Sequence, residues 1–160
     1  MGYVVSRPLT VVLDIVVWAI LHAGTGYLVH RIPAARLERD WWIHRTRRFE
    51  RDGRFYVRWL RIKRWKRWLP EAGDLFSGGF NKKTLRSTND DYLRTYVRET
   101  RRAELGHWLC LSGAPLFFLW NPWPIGIVML LYGAVANGPC IAAPRYNRIR
   151  LQRILRRRSS

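Results

Sequence analysis

Three long apolar segments constrain the fold of this chain more than any other feature of its sequence. They occupy residues 9–29, 103–120 and 124–143. A hydrocarbon core of about 30 Å needs about 20 helical residues to cross it, and the first and third segments have that length. The second fits if it begins at Ala103. We therefore predict an all-α integral membrane protein with about three transmembrane helices at these positions.

The charged residues lie almost entirely outside the apolar segments. The chain has 29 lysines and arginines against 11 acidic residues, a formal charge of +18, although 48% of its 160 residues are hydrophobic. Such a mixture requires that apolar and charged stretches be separated along the chain. We predict a single membrane domain over residues 1–160. It would include a basic, Trp-rich cytoplasmic interfacial region of short helices at 30–102 and a basic cytoplasmic tail at 144–160.

The distribution of basic residues predicts the orientation in the membrane. Arg7 alone precedes the first segment, whereas residues 31–102 contain 21 basic residues and residues 145–158 contain 7. Because basic loops stay in the cytoplasm, we predict a multi-pass protein of the cell membrane with its amino terminus outside and its carboxyl terminus in the cytoplasm. A cleaved signal peptide is the competing interpretation of the first segment, and Asp14 within the apolar run argues against it.

The interfacial region contains weak helix signals. Pro33 is a suitable opening residue for a helix to about residue 51, and Asp52-Gly53 is a turn signal that would end it. A second helix is predicted at about residues 55–69, where arginine and tryptophan recur every three residues. Since an α-helix repeats every 3.6 residues, this spacing gives no clean amphipathic face. Attachment to the membrane surface explains the abundance of arginine and tryptophan in this stretch better than their three-residue period does.

Residues 70–89 have the composition of an irregular loop. Gly78-Gly79 followed by two lysines resembles a phosphate-cradling loop only loosely, so a surface turn is the competing interpretation. Nucleic-acid binding is an alternative explanation for basic residues interleaved with aromatic ones. The apolar segments and the asymmetry of charge account for these residues without it. We therefore predict membrane lipid as a partner and no nucleic acid.

Ionisable residues meet the second apolar segment without an intervening loop, in the sequence ETRRAELGHW at residues 99–108. Asn89-Asp90-Asp91 supplies a cap and an acidic first turn for a helix that leads into it. Three antiparallel segments would bring this stretch to the cytoplasmic ends of the other two. We predict catalytic roles for His107, Glu104 and Glu99. We predict substrate binding by the basic and amide side chains of Arg102, Asn137, Arg145, Asn147 and Arg148.

These side chains suit the transfer of an acyl or phosphoryl group to a hydroxyl. A histidine can act as the base, a carboxylate can orient it, and arginine or asparagine can bind anions or an oxyanion. Glu104 and His107 are three residues apart and lie on neighbouring faces of a helix. The competing interpretation is ordinary ion pairing at the same spacing, between Glu99 and Arg102 or between Arg101 and Glu104, with an interfacial histidine satisfied by a neighbour.

Three further residues are notable because they lie inside apolar segments. Asp14 is an ionisable group in a membrane segment, and such groups are functional candidates, although a role in structure or assembly is equally open. Cys110 and Cys140 lack the spacing of metal or redox sites. We predict that both cysteines serve in packing and that the chain holds no metal.

Two sequence motifs are specific as a pair: ETRRAELGHW at residues 99–108 and PRYNRIRL at residues 144–151. With further matches in order along the chain, they resemble the glycosyl-4,4'-diaponeurosporenoate acyltransferases, membrane enzymes of staphyloxanthin-type carotenoid biosynthesis. The second motif departs from the family pattern at Pro144 and Ile149, which leaves its charged and amide groups in place. The further matches are Arg31-Ile32-Pro33, Phe49-Glu50, Gly53, Trp59, Arg64-Trp65-Lys66, Ala136-Asn137 and Pro139.

The resemblance implies an O-acyltransferase that esterifies a sugar hydroxyl of a glycosylated carotenoid, or of a related glycolipid, with a fatty acyl group. Its implied co-substrate is an acyl thioester such as acyl-CoA, with no bound cofactor. A lipid-linked donor and a glycosylated acceptor would meet at the leaflet surface. Three short segments enclose little volume for two lipids, so a homo-oligomer is an alternative to a chain that works alone. The alternative is a non-catalytic polybasic membrane scaffold or lipid-binding protein.

Overall fold

The computed structural model describes residues 6–69 and 87–159, which form helices joined by short turns. These two ranges contain no strand, so the all-α prediction is confirmed for them. The predicted phosphate-cradling loop at Gly78-Gly79 lies outside the described residues. The α-helices are α1 (Arg7–His30), α2 (Arg54–Arg58), α3 (Ile62–Trp65), α4 (Asp90–Ser112) and α5 (Trp123–Arg158). Short 3₁₀ helices occupy Ala34–Leu37, Trp42–His44, Arg48–Gly53, Lys66–Trp68 and Ala114–Leu119.

Helices α1 and α5 are long and apolar enough to cross a membrane. Pro8 lies in the first turn of α1, where its missing N–H costs no hydrogen bond, and 24 residues make this helix about 36 Å long. Many of the large apolar side chains on both helices point away from the protein: Ile20 is 62% exposed and Val135 is 74% exposed. The core helix of a soluble protein would bury such residues, so their exposure favours contact with lipid.

The amino terminus of α4 is capped as its sequence predicts. The Asn89 side chain accepts a hydrogen bond from the Tyr92 amide at 2.8 Å. Asp90 and Asp91 follow in the first turn, where negative charge is favourable near the unpaired amides of a helix. Helix α4 therefore begins outside the apolar segment and carries residues 99–108 into it.

The second predicted transmembrane helix, residues 103–120, is not one continuous α-helix, and a third span is not confirmed. Helix α4 ends at Ser112, and a 3₁₀ helix follows at Ala114–Leu119. Pro115 explains the break, because proline has no N–H and its ring clashes with the carbonyl four residues before it. The segment changes helix type within the apolar zone.

Helix α5 continues for 36 residues, so the predicted boundary between a membrane segment ending at 143 and a tail beginning at 144 does not mark a helix end. Pro139 and Pro144 lie inside the helix. Each removes one backbone hydrogen bond, and packing against α4 helps to maintain the helix across both positions. At about 54 Å, α5 is longer than a hydrocarbon core, so its carboxyl-terminal part extends beyond the apolar zone.

Helix α4 runs antiparallel to α1. Gly106 of α4 lies against Val29 near the carboxyl end of α1, and Gly113 lies against Leu21 about two turns earlier. A Cβ atom on Gly113 would lie 2.6 Å from a methyl carbon of Leu21. The two helices therefore approach closely where α4 enters the apolar zone.

Helix α5 returns antiparallel to α4 and thus runs parallel to α1. Leu151, late in α5, packs with Leu93, early in α4. At the other end, Asp14 of α1 accepts hydrogen bonds from Trp120 Nε1 and Asn121 Nδ2, both at 2.8 Å. Asp14 thus ties the turn between α4 and α5 to the amino-terminal third of α1. This is a structural contact, in agreement with one of the two interpretations of that residue.

The interfacial region folds into several short helices instead of the two longer ones predicted at 33–51 and 55–69. The predicted turn is confirmed, because Asp52 and Gly53 have positive φ angles of 51° and 79°. Arg61, with a φ of 47°, interrupts the second stretch between α2 and α3. The absence of an amphipathic period leaves no single helix face that packing could stabilise.

One apolar cluster attaches this region to α5, just beyond the end of the third apolar segment. Two of its members come from α2 and α3 and the others come from α5. The members are Tyr56, Ile62, Ala143, Tyr146 and Ile149. The short helices therefore pack on the part of α5 that leaves the apolar zone.

Candidate functional site

His107 lies where α4 enters the apolar zone and is half-buried. Its Nδ1 is 2.9 Å from Oδ1 of Asn137 on α5. Asn137 is fully buried, and its Nδ2 donates a 3.0 Å hydrogen bond to the Gly133 carbonyl. Since only the NH₂ group can donate to a carbonyl, that bond fixes which amide atom faces the ring. His107 Nδ1 therefore carries the proton and donates it, which leaves the lone pair on Nε2.

Helix α1 also contributes to the surroundings of Asn137. The Cys110 thiol, one turn along α4 from His107, lies near the side chains of Asn137 and of Thr25 of α1. Cys110 is almost fully buried. Side chains of α1, α4 and α5 thus meet at this level of the apolar zone.

Glu104, one turn before His107, is fully buried and pairs with two arginines of α5. One carboxylate oxygen, Oε1, accepts from Arg145 Nη1, and Oε2 lies 2.5 Å from Arg148 Nη1. Both oxygens therefore face guanidinium groups. Helical spacing predicted that Glu104 would orient His107, but the acceptor for His107 Nδ1 is Oδ1 of Asn137.

Arg145 uses all five of its N–H groups within the protein. Nε and one N–H of Nη2 donate to the carboxylate of Glu50. Nη1 donates to Glu104 and, at 2.7 Å, to the Ile43 carbonyl. The remaining N–H of Nη2 donates to the Arg45 carbonyl at 2.7 Å. This guanidinium can bind another group only by giving up one of these contacts.

Glu50 anchors the 3₁₀ helix Arg48–Gly53 to α5. Its carboxylate accepts from Arg145, from the Tyr56 hydroxyl and from the Arg47 amide. Burial tends to raise the pKa of Glu50, but hydrogen bonds from these groups outweigh burial and hold the pKa below its ordinary value. Burial and the neighbouring Glu50 carboxylate raise the pKa of Tyr56, so its hydroxyl stays protonated and donates.

Arg148 is fully buried between Glu104 and the chain around His44. Its Nη2 donates to the His44 carbonyl at 2.9 Å, and its Nε lies 4.0 Å from Asp40. The His44 ring is also fully buried, and neither ring nitrogen has a hydrogen-bond partner within the described ranges. Burial and the charge of Arg148 lower the pKa of His44 to about 4, so the ring is neutral near pH 7.

Asp40 pairs with Arg101 of α4 at 2.7 Å. Arg101 Nη1 also donates to the carbonyls of Leu37 and Glu38, at 2.8 and 2.9 Å. Burial tends to raise the pKa of Asp40, and the hydrogen bond and charge of Arg101 lower it below its ordinary value. Arg101 thus forms its ion pair with Asp40 of the interfacial region. The spacing of three residues along α4 had suggested an ion pair with Glu104 instead.

Arg102 and Glu99 form the ion pair that their spacing of three residues predicts, at 3.0 Å. Arg102 Nη1 donates to three carbonyls at the end of α1, those of Val29, His30 and Ile32. These bonds supply donors at the carboxyl end of α1, where the regular backbone hydrogen bonding of the helix stops. No acceptor for Arg102 Nη2 occurs among the residues of the two described ranges. That nitrogen is therefore available at the edge of the apolar zone.

Asn147, a further predicted binding residue, lies apart from His107. Its Oδ1 accepts a 3.2 Å hydrogen bond from Lys66 Nζ. Ten residues separate Asn147 from Asn137, which is about 15 Å along α5. The structure therefore groups His107 with Asn137, and groups Glu104 with Arg145 and Arg148. Glu99 lies with Arg102, and Asn147 lies against Lys66 of the interfacial region.

Three partners of these groups were not among the predicted site residues: His44 and Glu50, which are buried, and Asp40, which is half-buried. Sequence spacing gives no guide to them, because Glu50 and Arg145 are 95 residues apart. The available signal is composition: an acidic residue in a stretch as basic as 31–69 is a candidate for pairing with a cation.

Comparison with known proteins gives a consistent result. The sequence profile of the family described as glycosyl-4,4'-diaponeurosporenoate acyltransferase matches residues 39–157. Proteins with that name from Staphylococcus aureus strains USA300 and NCTC 8325 are 30% identical to this chain over 139 residues. The aligned region covers 87% of this chain and 84% of each relative. No solved structure matches it.

Proposed function

Because this chain belongs to the glycosyl-4,4'-diaponeurosporenoate acyltransferase family, and is thus an acyltransferase, we propose that it acylates a sugar hydroxyl of a glycosylated carotenoid. The acyl group comes from a fatty acyl thioester such as acyl-CoA, and the reaction takes place at the cytoplasmic face of the membrane. The name of the Staphylococcus aureus relatives supports the acceptor class. The site around His107 supports the chemistry and its depth.

The observation that carries this proposal is the hydrogen bond between His107 and Asn137. It holds the ring in one orientation with the proton on Nδ1 and the lone pair on Nε2, the tautomer that a general base needs. The ring lies at the entrance to the apolar zone. An apolar donor and an apolar acceptor can therefore remain in lipid while the thioester and the sugar meet beside the ring.

The reaction balances with His107 as the only proton carrier. Nε2 takes the proton of the sugar hydroxyl as the oxygen attacks the thioester carbonyl. A carbon–oxygen bond forms, the carbon–sulfur bond breaks, and the thiol departs with the proton that the imidazolium returns. Asn137 positions the ring throughout this sequence, because its own amide is fixed by Gly133.

The arginines divide into two roles in this proposal. Arg102 holds the polar part of the donor through Nη2, at the rim of the apolar zone. Arg145 and Arg148 are positioning residues, because their contacts with Glu50, Glu104 and the backbone keep the interfacial region against α4 and α5. Glu104 acts through these arginines, and Glu99 acts by pairing with Arg102.

The parallel course of α1 and α5 supports three crossings of the membrane. If both helices cross in the same direction, the chain must cross back between them. The return path is the end of α4 from residue 103 followed by the 3₁₀ helix Ala114–Leu119. Ten residues at 1.5 Å and six at 2.0 Å give it a length of about 27 Å. The distribution of basic residues then favours an amino terminus outside and a position of His107 near the cytoplasmic leaflet.

Replacing His107 tests the proposal directly. His107→Ala should lower acyl transfer by about a hundredfold or more in membranes supplied with the glycosylated carotenoid and an acyl-CoA. The assay is mass spectrometry of the acceptor, which gains the mass of one acyl group. His22→Ala is the matched control, since His22 is an exposed histidine of α1. Turnover by His107→Ala at the wild-type rate would refute the assignment.

Asn137→Ala distinguishes a positioning role from a merely structural one. It should lower kcat by about tenfold or more, because the ring loses its fixed tautomer while the substrate contacts remain. The double substitution of Asn137 and His107 should be no slower than His107→Ala alone, since both act on one proton transfer. Additive losses in the double variant would show that Asn137 acts elsewhere.

A further inference from the structure

A cleft of about 350 Å³ lies between α2 and α5, away from the His107 site. Arg54 and Arg58 of α2 form one side of it, and Arg150 and Arg153 of α5 form the other. The ring of Tyr146 is almost fully buried and forms part of the lining. The cleft is therefore lined by four guanidinium groups around an aromatic surface.

The turn at Asp52-Gly53 positions α2 for this arrangement. Gly53 adopts a φ of 79°, which glycine tolerates without strain, and it lies against the Tyr146 ring. A Cβ atom on Gly53 would lie 3.2 Å from that ring. The glycine thus allows α2 to start directly beside Tyr146, so that its arginines face α5.

Positive charge in the cleft exceeds negative charge. Arg153 pairs with Asp52 at 3.7 Å. No carboxylate in the two described ranges pairs with Arg54 or Arg58. Arg150 lies over the Tyr146 ring at 5.6 Å without an acidic partner in those ranges. Four arginines and one aspartate leave a surplus of three positive charges within one cleft.

Lys66 adds a further cation beside the Tyr146 ring. Its Nζ lies 5.2 Å from the centre of that ring. Burial lowers the pKa of Lys66, and repulsion from Arg150 and Lys63 lowers it further. Cations that repel one another in a partly buried place are stabilised when an anion enters between them.

The cleft lies at the depth of lipid headgroups. Tyr146 follows the end of the third apolar segment, residue 143, by three residues. Trp59, next to Arg58, is 74% exposed, and tryptophan is enriched at the boundary between headgroups and acyl chains. The lining is thus basic and the adjoining surface is aromatic, as suits a molecule with a phosphate group and an apolar body.

The cleft and His107 lie on opposite sides of α5. Asn137 and Tyr146 are nine residues apart, and at about 100° per residue they are half a turn apart around the helix. Tyr146 is also about 14 Å further along the axis. A molecule held in the cleft is therefore not in line with the reacting groups.

We propose that this cleft binds the phosphate of an anionic phospholipid. Arginine suits the role, because its planar fork donates two parallel hydrogen bonds to phosphate oxygens. Arg54 and Arg58 provide these bonds from one side and Arg150 from the other. The bound lipid is an accessory ligand that holds the interfacial region at the leaflet surface and does not react.

Native mass spectrometry of the full chain in detergent tests the proposal. The probes are phosphatidylglycerol and phosphatidylcholine with identical acyl chains. The wild-type chain should retain phosphatidylglycerol preferentially, and R54Q/R58Q should weaken that retention by about tenfold. The matched control is R36Q/R39Q, which removes the same charge from exposed arginines elsewhere. Equal weakening by both double variants, or none by R54Q/R58Q, would overturn the proposal.

Two competitors identify the source of the phosphate. Inorganic phosphate and coenzyme A should leave the phosphatidylglycerol adduct intact at concentrations equal to that of the lipid. Displacement by either one would assign the cleft to a soluble phosphate compound and overturn the lipid proposal. His107→Ala should retain phosphatidylglycerol as the wild type does, so this test is independent of the catalytic assignment.

Discussion

Replacing Glu104 with glutamine tests the buried ion network, and its cost can be worked from the contacts. Arg145 keeps the carboxylate of Glu50 in this variant. Arg148 keeps only the His44 carbonyl and the distant Asp40, at 4.0 Å. Since Arg148 is fully buried, its charge is left almost uncompensated. Removing one partner of such a pair costs about 3–5 kcal/mol of unfolding free energy.

The double variant E104Q/R148M is the matched comparison. It removes the uncompensated cation together with the anion and fills the space with an apolar side chain. Because a buried ion pair contributes little beyond an apolar substitute, the double variant should be more stable than E104Q alone. The coupling between the two positions should reach about 2 kcal/mol or more.

Thermal unfolding of the full chain in detergent measures these differences. Reaction of a fluorescent thiol reagent with Cys110 in a C140A background reports unfolding, since Cys110 is only 1% exposed in the folded chain, whereas Cys140 is half-buried. At about 2–4 °C per kcal/mol for a chain of this size, E104Q should lower the Tm by about 6–20 °C. A Tm within 2 °C of the wild type, or strictly additive effects of E104Q and R148M, would refute the reasoning.

Two further outcomes are expected. The pKa of His44 is about 4 in the folded chain against 6.5 for an ordinary histidine. Between these two pH values, the unfolded chain binds a proton at His44 and the folded chain does not. The free energy of unfolding should therefore fall by about 3 kcal/mol as the pH drops from 6.5 to 4. His44→Gln should abolish this slope in denaturation curves above pH 4.5, and an unchanged slope would contradict the assignment. Gly133→Leu should destabilise the chain by about 1–3 kcal/mol, because a Cβ there lies 2.7 Å from the Trp18 ring. Gly138→Leu, which meets open space at its Cβ, is the control, and equal Tm values for the two variants would contradict the close packing of α1 on α5.

Local signals in the sequence predicted the parts of the fold that depend on neighbouring residues. Asn89 caps α4 because its side chain needs only the amide three residues ahead. The turn at Asp52-Gly53 depends on backbone preferences of the same two residues. The apolar runs predicted α1 and α5 because burial in lipid requires only length and composition.

The break after Ser112 was missed although the sequence contains its cause. Apolar character continues through residues 103–120, and the prediction followed hydropathy alone. Pro115 interrupts the backbone hydrogen bonds whatever the hydropathy, so the chain changes to a 3₁₀ helix. Hydropathy measures the preferred environment of a segment and carries no information about its helix type.

The sequence predicted which helices bring the candidate site residues together better than it predicted their pairings. Topology correctly brought Asn137 to the level of His107, because it required only the order and direction of the segments. The partner of Glu104 could not be derived in this way. Its contacts with Arg145 and Arg148 depend on the relative rotation of α4 and α5, which side-chain packing determines.

The uninterrupted course of α5 has a mechanical consequence. Only about 30 Å of its length fits within a hydrocarbon core, and the rest holds the interfacial region through the Tyr146 cluster. A helix that is continuous across the boundary cannot change its tilt within the bilayer without moving the part outside. If α5 spans the bilayer, membranes of different thickness should therefore move Asn137 and the short helices of the interfacial region together. In the proposed mechanism, the lipid environment would then set the position of His107 relative to the acyl chains.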